Sequence, residues 1–141
     1  WPKATSRPIG RLWTVFRPTA KGRFRNMPTA VKVKRLYEPA EPSDGFRVLV
    51  DGIWPRGVRR EEWPDDTWRP DVAPSRQLRR DYKHQVEMFD EFAERYRREL
   101  AANRGLDSLL EIEGTLTLVT ATRDVEHSHA AVLADYLRSL I

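Results

Sequence analysis

The chain has 141 residues, of which 33% are charged and 40% hydrophobic, and it contains no cysteine. This length suits a single domain, since domains most often run to about 100–150 residues, and the missing cysteine excludes disulfides, thiolate metal ligands and a cysteine nucleophile. The missing cysteine is compatible with a reducing cytoplasm. No apolar run approaches the roughly 20 residues that a membrane-spanning helix needs, so we expect no membrane contact and no signal peptide.

The formal net charge of +4 is unevenly distributed along the chain. Residues 1–26 carry seven basic side chains and no acidic one, so this stretch is +7 and the remaining 115 residues are −3. A basic arm can contact nucleic acid. The chain begins with Trp1, however, and Met27 opens a stretch typical of an ordinary N-terminus. We therefore expect residues 1–26 to be a disordered or artefactual extension, with a flexible basic arm as the alternative, and residues 27–141 to form one domain.

Three segments of the chain are predicted to be strands. Residues 31–37 begin with a β-branched alternation, residues 46–51 have a Val-Leu-Val centre typical of burial on both faces, and residues 115–121 follow Gly114. The connector between the first two segments, residues 38–45, is short for a parallel crossover, so the sequence leaves their relative direction open.

Residues 52–75 are rich in tryptophan and proline. Trp54, Trp63 and Trp68 lie among them together with four prolines, and we interpret the stretch as a long irregular loop packed down by its own aromatic side chains. Loops of this length inside a compact domain are usually functional. A stacking platform for nucleic-acid bases is the alternative role for the tryptophans.

Helical segments are predicted over residues 75–82, 85–103, 106–112 and 124–140. Ser75 is the expected N-cap of the first segment, and Asp124 is a candidate N-cap of the last. Strand, strand, helices, strand, helix is the element order of an α/β fold. We therefore predict a single small domain with a short, mainly parallel sheet flanked by helices.

Polar side chains are concentrated where the second and third strands end, which is the edge at which open parallel sheets bind ligands. Asp51 and Arg56 follow the second strand, and Thr122, Arg123 and His127 follow the third. Arginine offers bidentate donors to phosphate or carboxylate, and a helix N-terminus adds a positive potential. We predict a pocket for a small anion, with Asp51 and His127 as candidate catalytic groups and the other three residues as anion-binding groups.

Five further side chains are expected to support this edge, namely Trp54, Trp68, Ser75, Arg79 and His84. His84 lies at a helix junction, where a capping or packing role is the simpler interpretation.

Structural roles compete with the catalytic ones. Asp51 could instead form an ion pair with Arg56 or Arg123. His127 and His129 are two residues apart and face different directions on a helix, so we expect no shared metal site and no cofactor.

Taken in order, several blocks of the chain resemble the YeaO-like branch of the bacterial family called domain of unknown function 488, over residues 31–140. The most distinctive are residues 44–51 with Trp-Pro-Arg-Gly at 54–57, and the stretch from Thr120 to Leu133. The resemblance implies a cytoplasmic bacterial α/β protein and supplies no reaction.

Two positions depart from the pattern that the resemblance implies. Family members commonly have Arg at the position of Gly52 and Asn at that of Ser128. More distant relatives carry a Cys-His arrangement where this chain has Ser128-His129, so thiol chemistry is excluded here.

Three functions stay open at this point. The first is an enzyme that handles a small anion or nucleotide. The second is a nucleic-acid-associated protein that binds through the N-terminal arm, which the acidic body opposes. The third is a non-catalytic domain whose Trp- and Pro-rich loop docks a protein partner. The sequence leaves the oligomeric state open.

Overall fold

The computed structural model describes residues 27–63 and 67–141, so the predictions for residues 1–26 lie outside the described part. Three strands form one sheet: β1 (Pro28–Arg35), β2 (Phe46–Leu49) and β3 (Gly114–Thr120). Their order is β1-β3-β2, and both outer strands run parallel to β3. The first two strands are therefore parallel to each other without being neighbours, and the predicted α/β class is confirmed.

Four α-helices complete the described domain: α1 (Arg76–Tyr82), α2 (Phe89–Ala101), α3 (Leu106–Leu109) and α4 (His129–Leu140). Two predicted helix starts were wrong by a turn or more. A 3-10 turn, Val86–Met88, precedes α2, and another, Val125–His127, precedes α4. The N-cap of α4 is Ser128, whose Oγ accepts a hydrogen bond from the backbone N–H of Ala131, so Asp124 does not cap this helix.

One face of the sheet, which we call the helix face, builds the main hydrophobic core. Val31, Val48, Leu116 and Leu118 belong to this core and are nearly or fully buried. The helices supply the other half of it, with buried residues at helical spacing: Leu78, Phe92, Tyr96, Leu100, Leu133 and Leu137. The aromatic stripe of α2 is thus core, as its spacing predicts.

The opposite face of the sheet is polar near the start of β2. Lys32, Lys34 and Arg47 alternate with the core residues, and all three contact the carboxylate of Asp44 at N–O distances of 3.2, 3.0 and 2.6 Å. Asp44 is fully buried and lies in the connection between β1 and β2. Gly45 follows it with a φ of 65°, where a Cβ atom would come within 2.3 Å of the Thr115 carbonyl oxygen. The connection therefore lies directly against β3.

The two connections between strands lie on opposite faces of the sheet. The β1–β2 connection is held on the polar face through Asp44, whereas the helices between β2 and β3 cover the helix face. The β1–β2 connection passes over β3 in one direction, and the β2–β3 connection comes back in the other. Two right-handed crossovers that run in opposite directions must lie on opposite faces of the sheet.

The long loop after β2 is irregular, as predicted, with short 3-10 turns at Arg60–Glu62 and Pro70–Val72. Trp54 and Trp68 meet edge to face at 5.1 Å between ring centroids, and Arg60 lies over both rings at 4.9 and 4.8 Å. The Trp68 backbone also forms a parallel bridge to Leu49. The tryptophans thus hold the loop against the end of β2.

Candidate functional site

Asp51 occupies the carboxyl end of β2 and connects it to β3. One carboxylate oxygen accepts a hydrogen bond from the Thr120 hydroxyl at 2.7 Å, and the other accepts one from the backbone N–H of Ala121 at 2.8 Å. The first oxygen also lies 3.2 Å from Nε2 of His129. The sequence had suggested an ion pair of Asp51 with Arg56 or Arg123 as the structural alternative. The partner is instead a histidine, His129.

These partners keep Asp51 ionised although it is largely buried. Burial is the largest single influence and raises the pKa of the carboxyl group, but the hydrogen bond and charge of His129, with the bonds from Ala121 and Thr120, outweigh it. The net effect is a pKa below the ordinary aspartate value of 3.8. At neutral pH the edge therefore holds an ionised carboxylate whose two oxygens already accept hydrogen bonds from the protein.

His129 is the residue of this cluster that sequence reasoning missed as a site residue. It is the first residue of α4, directly after the N-cap Ser128, and its Nε2 also lies 3.0 Å from the Val50 carbonyl oxygen. Its ring meets that of Tyr96 edge to face at 6.4 Å. Ser128 could have indicated this role, because serine is a good N-cap residue. A helix capped by Ser128 begins at His129 and directs the His129 side chain toward the strand ends.

His127, the predicted acid–base residue, lies one 3-10 turn earlier and belongs to a separate pair. Its Nδ1 is 2.8 Å from a carboxylate oxygen of Asp124, and its ring meets that of Phe89 edge to face at 5.2 Å. The backbone carbonyl of His127 accepts a hydrogen bond from the Tyr82 hydroxyl. The side chain remains 35% exposed, so the imidazole is oriented by the protein and open to solvent.

The predicted anion-binding residues lie on the loops that follow β2 and β3. Arg56 occupies a turn before Gly57 and is exposed, and Arg123 is exposed after the end of β3. Within residues 27–63 and 67–141, the structure gives neither guanidinium a carboxylate partner. The backbone N–H of Thr122 donates to the Thr120 hydroxyl at 3.1 Å and thereby links this loop to Asp51.

The supporting tryptophans are attached to the same edge. Nε1 of Trp68 donates to the backbone carbonyl of Asp51 at 2.8 Å, and Nε1 of Trp54 donates to the Val58 carbonyl at 2.7 Å. The bond from Trp68 fixes the backbone that carries Asp51, and the bond from Trp54 closes the turn that carries Arg56. Both side chains are half-buried and act here on the loop itself.

The three other supporting residues lie in α1 or directly beside it. Ser75 caps the helix by accepting from the Leu78 N–H, and its hydroxyl donates to Glu99 at 2.6 Å. Arg79 donates to the Pro74 carbonyl and lies against Gly52, where a Cβ atom would come within 2.4 Å of Nη1. His84 ends the helical region with a φ of 56° and packs its ring 5.6 Å from that of Tyr82.

In the part of the chain that the structure describes, no group of three or more His, Cys, Asp or Glu side chains is placed to hold a metal ion. None of the described helices is long and apolar enough to cross a membrane.

A small α/β domain with a polar carboxyl edge is the class that this fold and site define. A family model described as the inactive DUF488-N3 subclade matches residues 30–141, and the chain belongs to this family. The resemblance to the domain of unknown function 488 family is thereby confirmed.

Bacterial relatives match over most of their length. An uncharacterised protein of Mycobacterium tuberculosis, Rv3073c, is 52% identical over 111 residues, which cover 77% of this chain and 94% of the relative. The uncharacterised protein YeaO of Escherichia coli is 40% identical over 113 residues, covering 78% of this chain and 98% of the relative. No solved structure matches the chain.

Proposed function

We propose that this domain binds a small phosphate-bearing molecule at the carboxyl edge of its sheet. Arg56 and Arg123 supply the guanidinium groups, while Thr122 and His127 line the same edge. The observation that carries the proposal is the difference in partners between these charged groups. Both carboxylate oxygens of Asp51 accept hydrogen bonds within the domain and one lies 3.2 Å from Nε2 of His129, whereas neither arginine has an ion-pair partner within the described ranges.

The topology supports a common location for these groups. Arg56 follows β2 and Arg123 follows β3, and these strands are neighbours in the sheet. Adjacent strand ends lie only about 4.8 Å apart, so the loops that carry the two arginines leave the sheet side by side. A phosphate bound between them would receive the bidentate contacts that guanidinium groups favour.

Binding without turnover is the form of the proposal that the other observations favour. The family model that matches the chain is described as an inactive subclade, and the chain has no cysteine to act as a nucleophile. Both carboxylate oxygens of Asp51 accept hydrogen bonds. In this proposal Asp51 positions the ends of β2 and β3 and does not act as a base.

A second candidate function is acid–base catalysis by His127. The observation in its favour is the 2.8 Å contact between Nδ1 of His127 and Asp124, which leaves Nε2 directed away from the carboxylate. A carboxylate that orients an imidazole in this way is common to many acid–base sites.

Phosphate titration of the full chain tests the first proposal. We expect inorganic phosphate to bind the wild type, measured by calorimetry at constant ionic strength, and to raise its Tm. Because a hydrogen-bonded charge pair contributes about 1.5–3 kcal/mol, Arg56→Ala and Arg123→Ala should each weaken binding roughly 10-fold or more.

Arg97→Ala is the matched control, since Arg97 is exposed on α2 and its loss changes the net charge equally. All the variants retain residues 1–26 with their charge of +7, so phosphate binding to that segment would be the same in each of them. Equal affinity in all four proteins would mean that phosphate binds elsewhere, and absence of binding to the wild type would refute the proposal. His127→Gln is expected to alter phosphate affinity only modestly, whereas the catalytic alternative predicts loss of any turnover.

A further inference from the structure

The carboxyl end of β1 carries a guanidinium group that sequence reasoning did not assign to the site. Arg35 is the last residue of β1 and pairs in register with Thr120, the last residue of β3. The next backbone N–H, that of Leu36, donates to the Thr120 carbonyl at 2.8 Å. Arg35 is therefore fixed at the same edge as Asp51, one strand spacing from the loop that carries Arg123.

The register also determines on which face of the sheet Arg35 lies. Register partners in a parallel sheet project to the same face, and Thr120 directs its hydroxyl to Asp51. β1 packs against the 3-10 turn Val125–His127, which holds the imidazole of His127. Arg35 thus lies on the same face of the sheet as the Thr120 hydroxyl, at the end of a strand that packs against the turn carrying His127.

Nε of Arg35 is buried and has no hydrogen-bond partner. Among the described residues, every other buried side-chain nitrogen or oxygen has one. A buried donor without an acceptor is costly, and such groups call for an explanation such as an ion or a ligand. Glu38, the carboxylate nearest in sequence, accepts a hydrogen bond from the backbone N–H of Arg35 and none from its Nε. The Tyr37 ring lies 5.5 Å from the guanidinium carbon, and the residue as a whole is only half-buried.

We infer that Arg35 is a further anion-binding residue of the proposed phosphate site and reaches the phosphate from the end of β1. A small rotation of this half-buried side chain presents its Nε–H and Nη–H edge to two phosphate oxygens. The ligand then supplies the acceptor that Nε lacks in the protein alone. The inference rests on the proposed function and adds a third guanidinium group, from the β1 side of β3, to those of Arg56 and Arg123.

Arg35→Gln and Arg35→Lys separate this role from a structural one. In phosphate-free buffer we expect both variants to unfold at the wild-type Tm or slightly above it, because no hydrogen bond of Nε is lost. Arg35→Gln should bind phosphate at least about 10-fold more weakly than the wild type. Arg35→Lys keeps the charge but loses the bidentate N–H donors of the guanidinium group, so its affinity should be intermediate.

Arg97→Gln and Arg97→Lys are the matched controls and should bind phosphate as the wild type does. A structural role for Arg35 gives the reverse pattern, a lower Tm without phosphate and unchanged affinity, and would overturn the inference. If Arg56→Ala and Arg123→Ala weaken binding while Arg35→Gln does not, this inference fails and the proposed function stands. If the wild type does not bind phosphate, both fail.

Discussion

Asp44 and Asp51 lie at opposite ends of β2, and the chain neutralises each of them in a different way. Asp44 is fully buried among Lys32, Lys34 and Arg47, so three cations meet one carboxylate at the amino end. Asp51 relies on one histidine and on neutral donors at the carboxyl end. The amino end is thus a closed electrostatic cluster, whereas Arg56 and Arg123 after the carboxyl ends of β2 and β3 have no ion-pair partner among residues 27–63 and 67–141.

Asp44 makes the stability of the domain dependent on acid. Burial is the largest influence and raises the pKa of Asp44, but hydrogen bonds from the Glu41 N–H and from the three cations hold that pKa well below the ordinary value of 3.8. A depressed folded-state pKa stabilises the protein fully above the unfolded value and loses that contribution as the pH falls. We expect the wild-type free energy of unfolding, measured by urea titration, to decline below about pH 4.

Asp44→Asn should remove part of that decline, the remainder coming from other carboxylates with lowered pKa values such as Asp51, and should lower the Tm at pH 7, because it leaves the cations facing a neutral amide. Glu41→Gln is the control. Glu41 contacts the same Lys34 at 3.3 Å but is 63% exposed, so its loss should change the Tm little. If both substitutions lowered the Tm equally, the burial of Asp44 would not be what makes its carboxylate important for stability.

At the scale of elements, the start of α4 determines where His129 lies. Ser128 is fully buried, accepts from the Ala131 N–H, and donates to the Val125 carbonyl at 2.6 Å. Ser128→Ala removes both bonds, and we expect it to lower the free energy of unfolding by about 1–2 kcal/mol. Ser139→Ala, near the exposed end of the same helix, should cost much less, and chemical denaturation of both variants measures the difference. Similar losses would argue against Ser128 as the residue that fixes the helix start.

Element types followed from the sequence because hydrophobic spacing is a local property. The helical segment at residues 85–103 and the burial of the Val-Leu-Val run at residues 48–50 were predicted from residue spacing and type alone. The start of α4 was not, because Asp124 and Ser128 are both good capping residues and only tertiary contacts choose between them. The direction of β1 relative to β2 also needed the structure, since it depends on β3 being inserted between them.

The sequence predicted only those features of the candidate site that follow from the order and direction of the strands. That Asp51 and Thr120 meet at one edge follows from parallel strands, and the structure brings them to hydrogen-bonding distance. His129 was missed because its position depends on the helix start. Arg35 was missed because a basic residue at a strand end has no distinctive spacing, and its unpartnered Nε is visible only in the packed protein.

For the whole molecule, β3 is the element that unites the fold. It is hydrogen-bonded to β1 on one side and to β2 on the other, and Leu116, Leu118 and Val119 are fully buried. The β1–β2 connection also attaches to it, since the Thr117 hydroxyl donates to the Asp44 carbonyl at 2.6 Å. Both crossovers thus converge on one strand that occurs late in the sequence, which binds the Asp44 backbone through Thr117 and the Asp51 carboxylate through Thr120.

Hydrogen exchange should therefore show that β3 opens only when the whole domain unfolds. We expect the amides from Leu116 to Val119 to exchange with a free energy equal to that of global unfolding measured by urea. The amides of α1, a short helix with an exposed outer side, should exchange at lower free energy through local opening. Mass spectrometry of deuterium uptake distinguishes the two segments. If β3 exchanged as fast as α1, the sheet would open locally, and the Asp51 cluster at its end could not hold the strand ends in a fixed position for an anion.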